Sequence, residues 1–501
     1  MLRRQQQPGR TLSGSRATAP LRRPGAVGSH TVVHHSAHAN HPLTRSDENA
    51  RLYDYERRVK SAFDAIVPTL KRVSALQHEE GFEQRAQAIT REQLGFELPD
   101  EVLADAWVEQ LDMRRLFAWC VFKTYRRYCD DFFTTDPLGS DEDQSFQAFL
   151  QECGFHTLDL SPCADGRLAH VIRYVLRLPY RAVRRKSYAG ALFDIEDSLA
   201  KWTETELLRY REGRPNTADA PTRYLKAVVY HYSSVDPDHE GCAAHGSDAT
   251  RAAQAGLDRL LSFQRAVQNS YCCGASIDLL LIGLDTDTDA IRVHVPDANG
   301  EINLLRFLDA RELYDRSRHM TADESQAYID DRVRRTADAP RGMARLIARL
   351  LEHNLSQIDY VRRYYGAYYP DIGHAERFIG VGIGFEEVQL RNLTYFAYLD
   401  TVEEAAPDLD VGVKIFSRLN LSHGLPIPVV VRYDYHGQVP GARERAIEHC
   451  RRVAAALRAR YGELAERGSL HTLLVIRDCN AGERIEVLGC SVRPDVAPQA
   501  H

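Results

Sequence analysis

A cysteine, an aspartate and an arginine lie within five residues of one another in the stretch SPCADGR at 161–167. The stretch follows a predicted strand and precedes a predicted helix. Sites in parallel α/β sheets gather at the carboxyl ends of the strands, so we expect Cys163 at the mouth of a site. Asp165 and Arg167, two residues apart on a turn, can pair and orient each other. A lone cysteine is usually a small buried hydrophobic residue, and the neighbouring acid and arginine weaken that alternative.

A second group of candidate ligands follows the next predicted strand, which covers residues 224–232. That strand ends near His231, and the loop after it carries Cys242 and His245. Two thiolates and one imidazole suit zinc, and three protein ligands leave a fourth position open, which is typical of a catalytic site. A single histidine at a strand end is more often a structural group. Spacing alone does not choose between the histidines, because Cys242-x-x-His245 is itself a zinc spacing.

These candidates require a framework of strands and helices, and a length of 501 residues predicts two to four domains. Apolar residues recur at helical spacing from Leu52 to Ile66, and Pro68 is expected to disturb or end that helix. A second helical stretch is predicted over 100–129. Further on, strands alternate with helices, which is typical of an α/β fold with a parallel core sheet. The predicted parts are a disordered basic tail (1–47), a helical domain (48–140), a catalytic zinc domain (141–385) and a degenerate repeat of it (386–501).

The repeat is visible in two stretches, YLKAVVYHYSSVDP ending at residue 237 and IPVVVRYDYHGQVP ending at residue 440. Three positions match at a constant offset of 203: Tyr230, Tyr232 and Pro237 against Tyr433, Tyr435 and Pro440. A long helix and two apolar strands are predicted after each stretch, which favours a duplicated unit over chance similarity. His231 falls opposite Asp434, and the loop with Cys242 has no counterpart. The second copy is therefore predicted to be a structural half that packs on the first.

Charge is distributed unevenly along the chain. Residues 1–46 hold seven arginines and no acidic residue, so the remainder carries −13 if the total is −6. A basic tail on an acidic body indicates an acidic partner, the alternative being a solvated, disordered terminus. The sequence has no signal peptide and no long apolar run, so we expect no membrane segment. The chain is therefore expected to stay in a reducing compartment. The ten cysteines are expected there as buried thiols or metal ligands rather than disulfides. The tyrosine-rich stretch 360–369 is interpreted as packing, not as a nucleic-acid surface.

The stretch Cys163-x-Asp165-x-Arg167 after a strand resembles the signature of β-class carbonic anhydrases. The whole layout resembles a divergent branch of that class, the carboxysomal shell carbonic anhydrases of α-type carboxysomes. That branch has a disordered tail, a helical domain, a catalytic domain and a degenerate repeat, so the resemblance spans nearly the full chain. Ordinary β-class enzymes carry a His-x-x-Cys pair. Here ten residues separate His231 from Cys242, and the carboxysomal branch has the same long spacing.

The resemblance implies that Cys163, His231 and Cys242 bind Zn²⁺. It further implies that Asp165, held by Arg167, accepts a hydrogen bond from the zinc-bound hydroxide that attacks CO₂. The expected activity is interconversion of CO₂ and bicarbonate inside the carboxysome, where it supplies CO₂ to Rubisco. The expected partners are Rubisco or shell proteins, bound through residues 1–46, and further copies of the chain in a homodimer or higher homo-oligomer. His374 and Gln389 are candidates for contacts around the site or with substrate.

Two other functions compete with this one. The first is another zinc hydrolase or lyase on the same scaffold, which would bind zinc without hydrating CO₂. The second is a non-catalytic carboxysome scaffold protein, in which removal of the metal would change folding but no activity.

Overall fold

A computed structural model describes residues 39–139, 143–179, 183–271, 276–385, 388–397, 402–480 and 485–492. The part of the predicted tail before residue 39 lies outside the described residues. The described part contains an N-terminal group of helices and two mixed sheets, so the predicted α/β class is confirmed. Within this part, no helix combines the length and apolarity needed to cross a bilayer.

The N-terminal helices are α1 (Ser46–Asp64), α2 (Ile66–Ala75), α3 (Phe82–Leu94), α4 (Asp100–Asp105) and α5 (Met113–Thr135). The predicted apolar face of α1 is buried, and the chain turns at Ala65, so that Pro68 falls in the first turn of α2, where a missing N–H costs nothing. The second helical stretch is divided into α4 and α5. Asp112 explains where α5 begins, because its side chain accepts a hydrogen bond from the backbone N–H of Arg115 (3.0 Å).

The first sheet has the strand order β2-β1-β3-β4-β5-β6. Its strands are β1 (Thr157–Pro162), β2 (Arg184–Arg185), β3 (Arg223–Tyr232), β4 (Ser276–Asp285), β5 (Ile291–Pro296) and β6 (Ile302–Asp309). The first four are parallel, whereas β5 and β6 are antiparallel. The accompanying helices are α6 (Asp143–Glu152), α7 (Ile195–Arg211), α8 (Ala249–Tyr271), α9 (Ala310–Ser317), α10 (Ala322–Thr336) and α11 (Arg341–Tyr364). Helix α8 packs against β3 and β4, and α11 packs against β5.

The second sheet has the order β11-β10-β9-β7-β8. Its strands are β7 (Phe378–Ile383), β8 (Thr394–Ala397), β9 (Ile427–Tyr435), β10 (Leu470–Asp478) and β11 (Glu486–Cys490), with helices α12 (Val402–Leu419), α13 (Ala442–Arg460) and α14 (Gly462–Glu466). Only β11 is antiparallel within this sheet. Helix α13 packs against β9 and β10, while α5 from the N-terminal group also packs against these two strands. The N-terminal helices are therefore part of the same folded body.

The predicted internal repeat is confirmed by the topology of the two sheets. The order β2-β1-β3-β4-β5 in the first sheet corresponds to β8-β7-β9-β10-β11 in the second. Because β7 pairs with β8 and β9, the predicted boundary between residues 385 and 386 would separate β7 from its own sheet. We therefore place that boundary before Phe378, and the other domain limits stay predictions.

The tyrosine-rich end of α11 packs against the N-terminal helices. Tyr360 and Tyr364 are buried, the hydroxyl of Tyr360 donates to Glu56, and Tyr364 stacks on Tyr53 with ring centroids 4.4 Å apart. For Tyr360 and Tyr364 these contacts are packing between helices, as interpreted from sequence, whereas Tyr368 is exposed.

Candidate metal centre

The turn that follows β1 presents three functional groups at the carboxyl end of the parallel strands. The backbone N–H of Cys163 donates to the carbonyl of Val229 on β3, so the strand pairing continues to the cysteine itself. Asp165 then caps a short 3₁₀ turn, Gly166–Leu168, because its side chain accepts from the backbone N–H of Arg167 at 2.9 Å. Both side chains are thereby held at the strand ends, where the sequence predicts them.

The three predicted metal ligands come together in the structure. His231 is the penultimate residue of β3, and Cys242 precedes a 3₁₀ turn at Ala243–His245. Together with Cys163 they are buried, and their ligand atoms lie within 4.8 Å of one another. Two neighbouring parallel strands and one loop therefore supply the set.

The chemistry of this cluster fits a divalent metal of borderline softness such as zinc. Among the described residues, neither buried ring nitrogen of His231 has a hydrogen-bond partner, which is rare for buried polar atoms unless they bind something else. Burial lowers the pKa of His231 to about 3, so the imidazole is neutral, which is the form that ligates a metal. The hydrogen bond between the two thiols raises the pKa of Cys163 and lowers that of Cys242.

The alternative ligand His245 lies outside this cluster. Its Nε2 atom is 3.1 Å from the carbonyl oxygen of Gly190, which gives the ring a structural partner. Gly190 has φ of +66°, and a Cβ atom there would lie 2.8 Å from the same nitrogen. The structure thus favours His231 over His245, a choice that spacing alone left open.

Asp165 and Arg167 form a buried ion pair with two side-chain hydrogen bonds. The Nε–Oδ1 distance is 3.0 Å and the Nη2–Oδ2 distance is 2.8 Å. Burial alone would raise the pKa of Asp165, but the charge of Arg167 holds it well below its ordinary value. Oδ2 of Asp165 lies 3.8 Å from Nε2 of His231, so an ionised carboxylate faces the cluster. Arg167 also donates to the carbonyl of Glu240 at 2.6 Å and thereby ties the β1 turn to the loop of Cys242.

The predicted contact residue His374 reaches the site, and it brings a residue that the sequence analysis missed. Its Nδ1 atom is 2.8 Å from Oε1 of the buried Glu376, and its Nε2 atom is 4.0 Å from Oδ2 of Asp165. The only sequence signal for Glu376 is its place two residues after the histidine. Burial lowers the pKa of His374, but the charges of Glu376 and Asp165 raise it above its ordinary value overall. A Cβ atom on Gly166 would lie 2.3 Å from Oε1 of Glu376, so this approach requires glycine.

Gln389, the other predicted contact residue, does not lie at the cleft that holds the cluster. It lines a separate cavity of about 160 Å³ with residues 382–384 at the end of β7 and with Arg185. Gln389 is not among the residues that line the cleft, so the structure does not support its predicted contact with the site.

The cleft above the cluster has a volume of about 290 Å³, and both halves of the chain line it. The catalytic half, which holds the three ligands, supplies the β1 turn and the loop before Cys242. The second half supplies Tyr395 from β8 and four residues of α12, namely Val411, Lys414, Ile415 and Arg418. None of these was expected from the sequence, since they lie more than 150 positions beyond the ligands.

The corresponding position of the second half holds an ion cluster. In the second sheet Gly382 pairs with Arg432, and in the first sheet Pro162 pairs with Val229. The two pairings correspond, because Arg432 lies 203 positions after Val229. The next residue, Ile383, therefore occupies the position of Cys163. Asp434, opposite His231, is 2.7 Å from Nε of Arg432 and 2.7 Å from Nη2 of Arg477. Two guanidinium groups therefore satisfy the carboxylate, and this half keeps none of the three ligands.

The comparisons with known proteins agree with this division of the chain. The models for the N-terminal, catalytic and C-terminal parts of Carboxysome Shell Carbonic Anhydrase match residues 41–133, 145–374 and 375–492. The carboxysome shell carbonic anhydrase of Prochlorococcus marinus (strain MIT 9313) is 58% identical over 92% of this chain and 91% of its own length. That of Parasynechococcus marenigrum (strain WH8102) is 59% identical over 92% and 80%, and that of Halothiobacillus neapolitanus (strain ATCC 23641 / c2) is 47% identical over 89% and 89%. The chain belongs to the carboxysome shell carbonic anhydrase family.

Proposed function

We propose that this chain interconverts CO₂ and bicarbonate with a zinc ion held by Cys163, His231 and Cys242. The observation that carries the proposal is the convergence of these three donors within 4.8 Å, with both nitrogens of the histidine unpartnered. Two sulfurs and one nitrogen match the ligands that zinc prefers, and three protein ligands leave one position for solvent or substrate. A zinc ion with such a free position would lower the pKa of a water molecule bound there, an effect for which carbonic anhydrases are the reference case.

Asp165 and Arg167 orient the reacting solvent in this proposal. The guanidinium keeps the carboxylate ionised, so Asp165 accepts hydrogen bonds and never donates one. A hydroxyl group that donates to Asp165 must then direct its lone pair away from the carboxylate and into the cleft. The apolar side chains of Val411 and Ile415 line the same cleft and suit CO₂, which carries no charge.

His374 is the cleft residue suited to pass a proton to solution. Glu376 fixes the orientation of its ring through Nδ1, which leaves Nε2 directed toward Asp165. Because the site must lose one proton for each CO₂ hydrated, a partly exposed histidine beside it provides a route.

The test is zinc content together with CO₂ hydration by stopped flow. The purified protein is expected to hold one zinc per chain, assigned to the three ligands by anomalous diffraction. Cys163→Ser, His231→Ala and Cys242→Ser are expected to lose the metal and the activity. His245→Ala is the matched control and should keep the metal. A zinc-loaded protein that hydrates no CO₂ would favour another zinc hydrolase or lyase instead.

As a member of this family the chain acts in the carboxysome. We propose that residues 1–46 attach it there to Rubisco or to shell proteins, which the seven arginines of this segment support. The end of the segment is anchored: His41 is 1% exposed, and its Nε2 atom is 2.9 Å from Oγ of Ser317. Because the fold binds this end, which includes Arg45, the proposed attachment rests on residues 1–38, which hold six of the seven arginines. We further propose a homodimer or higher homo-oligomer, which sedimentation equilibrium tests.

A further inference from the structure

Two cationic side chains of the second half stand on the wall of the catalytic cleft. Lys414 and Arg418 are four residues apart on α12, so they share one face of the helix, and both are exposed. Within the described part of the chain, neither side chain forms an ion pair or a hydrogen bond. They are a pair of uncompensated positive charges beside the cluster of ligands.

The other charged groups that line the cleft have partners. Arg167 is bound to Asp165 and lies 3.4 Å from the carboxylate of Glu240. His374 is bound to Glu376, and the exposed His239 to Asp236. Because one guanidinium faces two carboxylates, Asp165, Arg167 and Glu240 together keep one negative charge. The two cations of α12 exceed it, so the lining is positive by one charge.

Helix α12 is fixed against the catalytic half, so the position of these charges is set by the fold. Oδ1 of Asp408 accepts from the backbone N–H of Ala189 at 2.7 Å, and the hydroxyl of Tyr395 donates to the carbonyl of Asp408 at 2.7 Å. Gly412 packs so closely that a Cβ atom there would lie 2.8 Å from the ring of Tyr395. These contacts join α12 to the turn that itself lines the cleft.

We propose that Lys414 and Arg418 form an anion-attracting rim that draws bicarbonate into the cleft, so that the half without metal ligands sets the affinity for the charged substrate. This inference rests on the proposed function. CO₂ is neutral, whereas bicarbonate is a monoanion, so two cations at the mouth of a cleft act on only one of the two substrates. Clefts lined by one sign of charge concentrate ions of the opposite sign, and salt weakens this effect.

The test compares the variant Lys414→Gln/Arg418→Gln with the unmodified zinc-loaded protein. We expect the KM for bicarbonate and the inhibition constant of thiocyanate, a monoanion, to rise about three- to tenfold at low ionic strength. At about 0.5 M salt, where screening acts over a few ångströms, both differences should fall below about twofold. The KM for CO₂ should stay unchanged. The matched control, Arg451→Gln/Arg458→Gln, removes two exposed charges from α13 that do not line the cleft, and should change none of these constants.

The ratio of kcat/KM between the two directions is fixed by the equilibrium constant of the reaction at a given pH. Preference therefore has to be judged from the separate KM values and from thiocyanate inhibition. The proposed rim is refuted if the unmodified protein is active and the Lys414→Gln/Arg418→Gln variant has the same KM for bicarbonate and the same inhibition constant of thiocyanate. Equal changes at low and high salt, or equal changes in the control, would also overturn it. An unmodified protein without CO₂ hydration would instead refute the proposed function. Melting curves of both variants confirm that they fold.

Discussion

Replacing Arg167 by methionine would leave the carboxylate of Asp165 buried without its counter-ion. The guanidinium is 4% exposed and the carboxylate 9%, so water cannot substitute for the lost partner. The variant also loses the bond from Arg167 to the carbonyl of Glu240, which ties the Cys242 loop to the β1 turn. Methionine replaces the aliphatic part of the arginine side chain and has no charge, so the change removes mainly the charge and its hydrogen bonds.

The expected loss in the free energy of unfolding is about 3–5 kcal/mol near pH 8, the range for removing one partner of a buried ion pair. Its pH dependence follows from Asp165. In the unmodified protein the pKa of Asp165 is lower in the folded than in the unfolded state. Its ionised carboxylate therefore stabilises the fold at pH values above the unfolded-state pKa, and this stabilisation is lost as the pH falls through the folded-state pKa. In the variant, burial dominates and raises the pKa, so stability is lost as the pH rises. The gap between the two proteins should therefore narrow as the pH falls from 8 to 5.

Urea unfolding at several pH values measures this gap. The matched control is Arg460→Met, which breaks an exposed pair with the same two-bond geometry, in which Nε and Nη2 lie 3.1 and 2.6 Å from the two oxygens of Asp410. Water solvates both groups of that pair, so little change is expected. The reasoning fails if Arg167→Met loses no more stability than Arg460→Met, or if the gap widens toward pH 5.

Three further predictions concern the contacts around the cleft. Burial raises the pKa of Asp408 from 3.8 to about 6, which disfavours its charged form by up to about 3 kcal/mol. The unmodified protein should therefore lose stability as the pH rises from about 4 to 6, and Asp408→Asn, which keeps an oxygen for the N–H of Ala189, should flatten that slope in thermal melts. Gly166→Ala should lower the free energy of unfolding in urea by about 1–3 kcal/mol and lower the rate of CO₂ hydration, because the added Cβ displaces Glu376. Unchanged activity would show that Glu376 does not position the site. Deleting residues 1–38 should leave hydration intact and abolish co-purification with Rubisco or shell proteins, whereas a truncated protein that still co-purifies would exclude the tail as the attachment.

Local patterns in the sequence were sufficient for much of this protein. The stretch after β1 predicts a site because a strand end, a cysteine and a paired acid and arginine are all encoded within a few residues. The repeat is equally readable, since duplicated strands and helices keep the same order of apolar segments. The turn after β1 depends only on neighbours along the chain, and the repeat depends on the order of local segments. The roles of the site residues stay predictions.

Only the tertiary structure decided which distant residues complete the site. Spacing leaves both His231 and His245 as possible ligands, and the resemblance favours His231. The structure adds the physical reason, which is the contact of His245 with the carbonyl of Gly190. Lys414 and Arg418 look like an ordinary solvated helix face until α12 is placed against the cleft. The physical reason is that helix α12 of the second half packs on a turn of the first half and so brings together residues more than 150 positions apart. No local period in the sequence records such contacts.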